Sequence, residues 1–233
     1  MKLDKKNIIQ FVKFQNSKKK LLTPGPASLL VENLLGIGPS FGRGDFNYDK
    51  VEAKVLNILK KISGHKKIIR LQGSASLALE VMILNFLRGN VLVVRTGVYS
   101  DRIYEMCKFA KKKFKNIKKI KYVDWKKIDY YKEKTNWVLA CYVETSVGLK
   151  LPIKKLYNLK KRLRAKLALD ATASIGLEKN HNFAEVIGYS SCKGLFGLTG
   201  AGFISFNQNP KNKINSFNLD IENHKNKKMT GPY

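Results

Sequence analysis

Residues 68–94 read IIRLQGSASLALEVMILNFLRGNVLVV, and the hydrophobic period changes twice within them. Ile68 to Gln72 is a short apolar-rich run, as a strand requires. From Ser74 to Arg88 the apolar residues Leu77, Val81, Leu84 and Leu87 recur at helical spacing, and Val91 to Val94 is again a continuous apolar run. Such a strand, helix and strand joined by short polar turns is the repeating unit of a parallel sheet covered by helices.

The same alternation continues downstream. Tyr99 to Lys113 reads as a second helix with Ile103, Met106, Cys107 and Ala110 inward, and Lys119 to Val123 as a third strand. Trp137 to Val143 is apolar throughout, as a strand buried on both faces should be. A helix is expected from Ile153 to about Leu163, followed by strands at Lys166 to Asp170, Val186 to Ser190 and Gly202 to Phe206. The fold class is therefore α/β, a mostly parallel sheet covered by helices. In such folds ligands bind at the carboxyl ends of the strands. Polar and Gly-rich residues do gather there: Gly73-Ser74-Ala75-Ser76, Thr96-Gly97-Val98-Tyr99, Glu144-Thr145-Ser146, Asp170-Ala171-Thr172 and Ser190-Ser191-Cys192-Lys193.

Composition removes several function classes. A chain of 233 residues, 44% hydrophobic, can bury roughly 70% of its surface without disulfides or metals. Its apolar runs are too short to span a bilayer. The three cysteines, Cys107, Cys141 and Cys192, are far apart and suggest neither a disulfide framework nor a metal site, so a cytoplasmic location is expected. The formal net charge is +28, from 45 Lys and Arg against 17 Asp and Glu, but only 7 of the 45 are Arg. Nucleic-acid readers lean on Arg forks and stacked aromatics. Scattered lysines instead read as a solvated surface that attracts small anions, and no nucleic-acid partner is expected.

Three strand ends carry candidate chemistry. Gly73-Ser74-Ala75-Ser76 opens a helix directly after a strand, where free amides and hydroxyls suit a phosphate, although Ser74 could equally be an ordinary N-cap. Asp170 ends an apolar strand, where a carboxylate is costly without a cationic partner. Lys193 lies beyond another strand end. The two could form a buried ion pair. Alternatively both face a cofactor, Asp170 keeping a pyridinium nitrogen protonated while Lys193 forms a Schiff base.

Six motifs in order now resemble the class V aminotransferases of pyridoxal-phosphate fold type I. They are Leu22-Thr23-Pro24-Gly25-Pro26, Gly73-Ser74-Ala75-Ser76, Gly97-Val98-Tyr99-Ser100-Asp101-Arg102, Glu144-Thr145-Ser146-Val147-Gly148 with Pro152, Asp170-Ala171-Thr172-Ala173-Ser174, and Ser190-Ser191-Cys192-Lys193-Gly194. Gly44-Asp45-Phe46-Asn47 is similar to an acidic segment of 2-aminoethylphosphonate–pyruvate transaminases. The resemblance implies pyridoxal 5'-phosphate as cofactor, with Lys193 and Asp170 as catalytic residues. It places Ser74, Ala75 and Ser76 at the phosphate, Tyr99 stacked on the ring and Thr145 at the ring hydroxyl. It also implies a homodimer, with Thr230 reaching the neighbouring subunit's phosphate. From the residues alone, Tyr99 could be plain core and Thr145 a turn residue.

The resemblance runs from about Leu21 to Phe206. It implies an N-terminal basic segment over residues 1–20, a cofactor-binding domain over 21–206, and the start of a connection to a C-terminal domain over 207–233. The sequence stops inside Met229-Thr230-Gly231-Pro232-Tyr233, within a family motif, and so reads as a fragment of a longer gene product. Ala75 stands where the family often has Gly, and Cys192 where it has a polar amide. Arg102 is expected to orient its helix, and Arg43 is a candidate phosphonate contact. The implied activity is amino transfer between 2-aminoethylphosphonate and pyruvate. The alternatives are an alanine- or serine-glyoxylate/pyruvate aminotransferase, a cofactor-lacking interaction protein, or a basic nucleic-acid binder.

Overall fold

The computed structural model of the chain describes residues 4–18, 21, 25–28, 30–38, 40–42 and 44–226. In chain order the elements are α1 (Lys5–Lys18), α2 (Val31–Leu35), α3 (Phe46–Ser63), β1 (Lys67–Gln72), α4 (Ala75–Phe86), β2 (Gly89–Arg95), α5 (Val98–Phe114) and β3 (Ile117–Asp124). There follow β4 (Trp137–Cys141), β5 (Val143–Glu144), β6 (Leu149–Lys150), α6 (Ile153–Leu163), β7 (Lys166–Asp170), β8 (Val186–Ser190), β9 (Ala201–Phe206) and α7 (Ile221–Asn226). Thr230, Arg43 and the Leu22-Thr23-Pro24 part of the first motif lie outside the described residues.

Seven strands form one sheet in the order β1-β9-β8-β7-β4-β2-β3. The β2–β3, β2–β4, β4–β7 and β7–β8 pairs are parallel, whereas β9 runs against both β1 and β8. The reversal has a simple cause. A parallel return needs a crossover of a dozen or more residues, and only residues 191–200 join β8 to β9. That segment becomes a hairpin loop, and it carries Lys193.

Side chains alternate between two cores, one on each face of the sheet. Val91, Val93, Trp137 and Leu139 join the cluster under α4 and α5, while Leu92, Val94, Val138 and Ala140 join the cluster under α6. Period-2 alternation with both sets apolar is why the runs are continuous rather than amphipathic. Helix α4 is buried on nearly all sides, from Ala78 to Phe86, as a helix apolar all round must be. Helix α6 turns Ile153, Leu156 and Leu159 inward and keeps its lysines outward.

The expected strand ending at Val143 is corrected. Strand β4 stops at Cys141: the Tyr142 N–H makes the last bond to β7, donating to the Asp170 carbonyl (3.0 Å), and the chain then leaves the sheet. Val143 and Glu144 then pair antiparallel with Leu149 and Lys150 as a separate two-stranded ribbon. This brings Thr145 to the rim of the sheet. No described helix is long and apolar enough to cross a membrane.

Candidate active site

A cleft of about 520 Å³ opens at the carboxyl ends of the parallel strands. Its walls include Ser74, Ala75 and Ser76, Tyr99, Thr145, Asp170 and Lys193, brought together from five separate chain segments. Of the residues the sequence singled out for cofactor binding, only Thr230 is not among them, since it lies outside the described residues.

The first wall is the turn into α4. Ser74 caps that helix, its Oγ accepting from the Leu77 N–H (3.2 Å). The amides of Ala75 and Ser76 precede any intrahelical acceptor, so they and the positive end of the helix dipole face the cleft. The N-cap role therefore leaves these amides open to an anion. Strand β9 supports this turn from behind: a Cβ on Gly202 would lie 2.9 Å from the Ser74 carbonyl oxygen, so a side chain there would displace the turn. Ser76 Oγ accepts from Arg102 Nη1 at 3.3 Å. Arg102, expected only to orient its helix, is thus part of the cleft wall.

Asp170 is the last residue of β7 and stands between Cys141 of β4 and Gly188 of β8. Only 5% of it is exposed. Burial pushes its carboxyl above the ordinary carboxylate range, while hydrogen bonding from Thr172 and the charge of Lys193 act the other way. The Thr172 N–H donates to Oδ1 at 2.9 Å. Burial likewise raises the Cys141 thiol well above its usual value. Its Sγ donates to the Val143 carbonyl (3.3 Å), so it is a packed thiol and not a nucleophile.

Lys193 and Asp170 share the cleft, but no salt bridge joins them among the described residues. The buried ion pair that the sequence left open is not formed. Lys193 Nζ instead sits 4.9 Å from the centre of the Tyr99 ring, and Arg102 Cζ lies 5.1 Å from the same ring. Both are cation–π distances. The loop that carries Lys193 is held from outside by the N-terminal segment, where the Ala27 N–H donates to the Cys192 carbonyl at 2.9 Å. Cys192 itself stands 3.5 Å from Ser190 Oγ.

The donor set matches the group that the resemblance implies. A half-buried amine, a buried carboxylate, an aromatic face, a hydroxyl and an amide-rich anion seat surround one cavity, each matching a distinct part of pyridoxal phosphate. Sequence reading missed Glu144 as a working residue, although it lies inside a quoted motif. Its carboxylate is completely buried and accepts from the Tyr99 and Ser100 amides. An acid next to a Thr-Ser pair was the available signal, but only the folded chain reveals which amides it meets.

Known proteins resemble the chain in sequence and in fold. The sequence pattern of the family described as Aminotransferase class-V matches residues 44–229. The chain is 26% identical over 197 residues to the 2-aminoethylphosphonate–pyruvate transaminase of Pseudomonas aeruginosa, covering 79% of this chain and 53% of that protein. It therefore spans about half the length of the curated relatives it matches. Among solved structures, the subgroup IV aspartate aminotransferase of Thermus thermophilus superposes with a TM-score of 0.77 at 21% identity, covering 92% of this chain and 66% of that one. The phosphoserine aminotransferase of Trichomonas vaginalis, solved with bound PLP, superposes with a TM-score of 0.68 at 18% identity, covering 90% and 66%. With a family pattern running across most of the sequence and a seven-stranded sheet of the same fold, the chain belongs to the class V aminotransferases.

Proposed function

We propose that this chain is the cofactor-binding part of a pyridoxal-phosphate-dependent aminotransferase that moves an amino group between 2-aminoethylphosphonate and pyruvate, working as a cytoplasmic homodimer. The observation that carries the cofactor reading is the unpaired juxtaposition of Lys193 and Asp170 in one cleft, with Tyr99 beside the amine. An ion pair would have consumed both charges.

Bound pyridoxal phosphate would supply a carbonyl for exchange of amino groups and a ring able to accept electron density. The residues have separable tasks. Lys193 Nζ would hold the cofactor's carbonyl carbon and carry a proton to and from the substrate carbon. Asp170 would hold a proton on the ring nitrogen, its buried carboxylate being stabilised by the charge opposite. Tyr99 would cover one ring face and Thr145 would bond the ring hydroxyl. Ser74, Ala75 and Ser76 would bind the phosphate through amides and hydroxyls. Thr230 of a neighbouring subunit would complete that seat. An outward stripe on α3, Val51, Val55, Ile58 and Ile62, remains exposed and supports association of two copies.

The experiment is chemical. Borohydride treatment of the pyridoxal-phosphate-loaded protein, followed by peptide mapping, is expected to leave the pyridoxyl group on Lys193. A label on any other lysine overturns the assignment.

The phosphonate substrate is supported by the relatives' activity and by the high positive charge, which would steer a dianion. A second reading, alanine or serine with glyoxylate or pyruvate, is favoured by one feature. A chamber of about 340 Å³ adjoins the cleft at Lys193 and Thr145, and Pro26, Ala27, Leu30, Leu177 and Phe196 give it an apolar lining. The acidic motif at residues 44–47 also has a structural task, since Asp45 Oδ1 accepts from the Asn47 N–H (2.8 Å) and caps α3. Steady-state kinetics decides between them. A site built for a dianion rejects neutral donors strongly, so comparable kcat/KM for 2-aminoethylphosphonate and alanine would remove the phosphonate reading.

A further inference from the structure

We infer that Glu144 is a positioning residue for the cleft, setting the place of the Tyr99 ring against the bound cofactor through the first turn of α5; the inference rests on the pyridoxal-phosphate reading above. The residue before α5 is Gly97, which has no side chain with which to cap the helix. Glu144, from a strand 45 residues beyond Tyr99, performs that task.

Its two oxygens receive four donors. Oε1 accepts from the Tyr99 N–H (3.2 Å) and from the Ser146 hydroxyl, while Oε2 accepts from the Ser100 N–H (3.1 Å) and from Thr96 Oγ1 (3.1 Å). Ser146 Oγ in turn accepts from the Val98 N–H at 3.2 Å. Three consecutive amides of α5 are thereby tied to residues 144 and 146. Thr145, between those two, lines the same cleft as Tyr99. One carboxylate thus sets the spacing between two residues that approach the cofactor from separate segments.

The fit leaves no slack. A Cβ at position 97 would come within 2.6 Å of Ser146 Oγ and 2.9 Å of Glu144 Cγ, so the close approach requires glycine there. It also requires an acid. A carboxylate accepts at both oxygens, whereas the amide of a glutamine would turn its NH₂ toward a backbone N–H and a hydroxyl. Buried donors left unsatisfied in this way cost more than an ordinary hydrogen bond contributes. A helix end so disturbed shifts by tenths of an ångström, and Tyr99 moves with it.

A plain stabilising cap would act on folding alone, so the test uses coupling. Pyridoxal phosphate is titrated into the full gene product by fluorescence, comparing wild type, Glu144→Gln, Tyr99→Ala and the double variant. Glu144→Gln is expected to weaken binding about tenfold in the wild-type background and less than about twofold when Tyr99 is already absent. Equal losses in both backgrounds, or no loss at all, overturn the positioning role while leaving the cofactor reading intact. Absence of pyridoxal-phosphate binding by wild type overturns both. Should Glu144→Gln not fold, Ser146→Ala removes one donor to the same carboxylate and the Val98 acceptor, and the same non-additivity with Tyr99→Ala is expected of it.

Discussion

The two ends of the central sheet treat charge in opposite ways. At the carboxyl ends of the parallel strands the cleft is lined by glycine, hydroxyls, one buried acid and the cations Lys193 and Arg102. At the amino ends lies a larger depression, about 970 Å³, around Arg88, Lys115, Lys118, Lys134, Arg164 and Lys166. Its acid, Glu185, is held by Lys160 Nζ at 2.8 Å. Helices α4, α5 and α6 all end at that second face, and the partial negative charge of a helix C-terminus attracts cations. Lys111, Lys112 and Lys113 close α5, while Lys160, Lys161 and Arg162 close α6. At the carboxyl ends the same dipoles present backbone amides instead. Part of the chain's positive charge thus decorates helix ends, whereas the cleft holds only a few oriented cations and amides.

The largest expected effect would break that contrast outright. Lys193→Ala should lower transamination by on the order of 10⁴-fold or more, while replacing Lys118, Lys134 and Lys166 together by Gln should change kcat/KM less than about twofold. Steady-state assays on the two variants check both halves, and comparable losses would mean that bulk charge, not the cleft, does the chemistry.

Asp170→Asn sharpens the comparison from the other side. Turnover should fall by roughly 10²-fold or more, because an amide cannot hold a proton on the ring nitrogen. Stability should move the opposite way. A carboxyl whose folded-state pKa is raised binds its proton more tightly in the native state, so its contribution is full below the unfolded value of 3.8 and is lost as pH rises through the folded value. At neutral pH the cofactor-free Asn variant should therefore melt higher than wild type in calorimetry. A lower melting temperature would show that the acid is structurally necessary.

Residues 171–185 carry the chain from one end of the sheet back to the other and contain His181, 1% exposed. Its Nε2 meets Ser174 Oγ at 2.9 Å, and burial lowers its pKa from 6.5 to about 4. The unfolded chain then binds the proton more readily, so stability is full above about pH 6.5 and declines toward pH 4. The difference is worth about 3 kcal/mol, read as an acid-side fall in denaturation midpoint that His181→Gln should flatten. The smallest effect belongs to the amino-end lysines: single Lys→Gln changes there should alter stability by no more than about 0.5 kcal/mol.

Legibility varied with how completely each element is buried. The strand at Lys166–Asp170 and the helix at Ile153–Leu163 were readable residue for residue, because each presents an unbroken pattern to a core. Helices α1 and α3 were not anticipated. Their inward residues are few, Ile8 and Val12 in one and Leu59 and Ser63 in the other, so the periodic signal is diluted by lysine and by outward apolar residues. The rim motifs could be read because hydroxyls, glycines and acids after apolar strands have few other uses. Their mutual distances could not.

The order of apolar periods and turn residues by itself determined that the chain is an α/β sheet protein, which strand ends are polar, and that Lys193 and Asp170 were the groups to watch. Tertiary structure alone decided that those two do not pair, that β9 reverses to make the Lys193 loop a hairpin, that Arg102 joins the cleft wall, and that Glu144 caps a helix from a distant strand. The reason is one of range. Periodicity and turn chemistry act over a few residues and are written locally, whereas a salt bridge, a strand direction or a buried cap is chosen among segments far apart in sequence, where packing and desolvation select the partner.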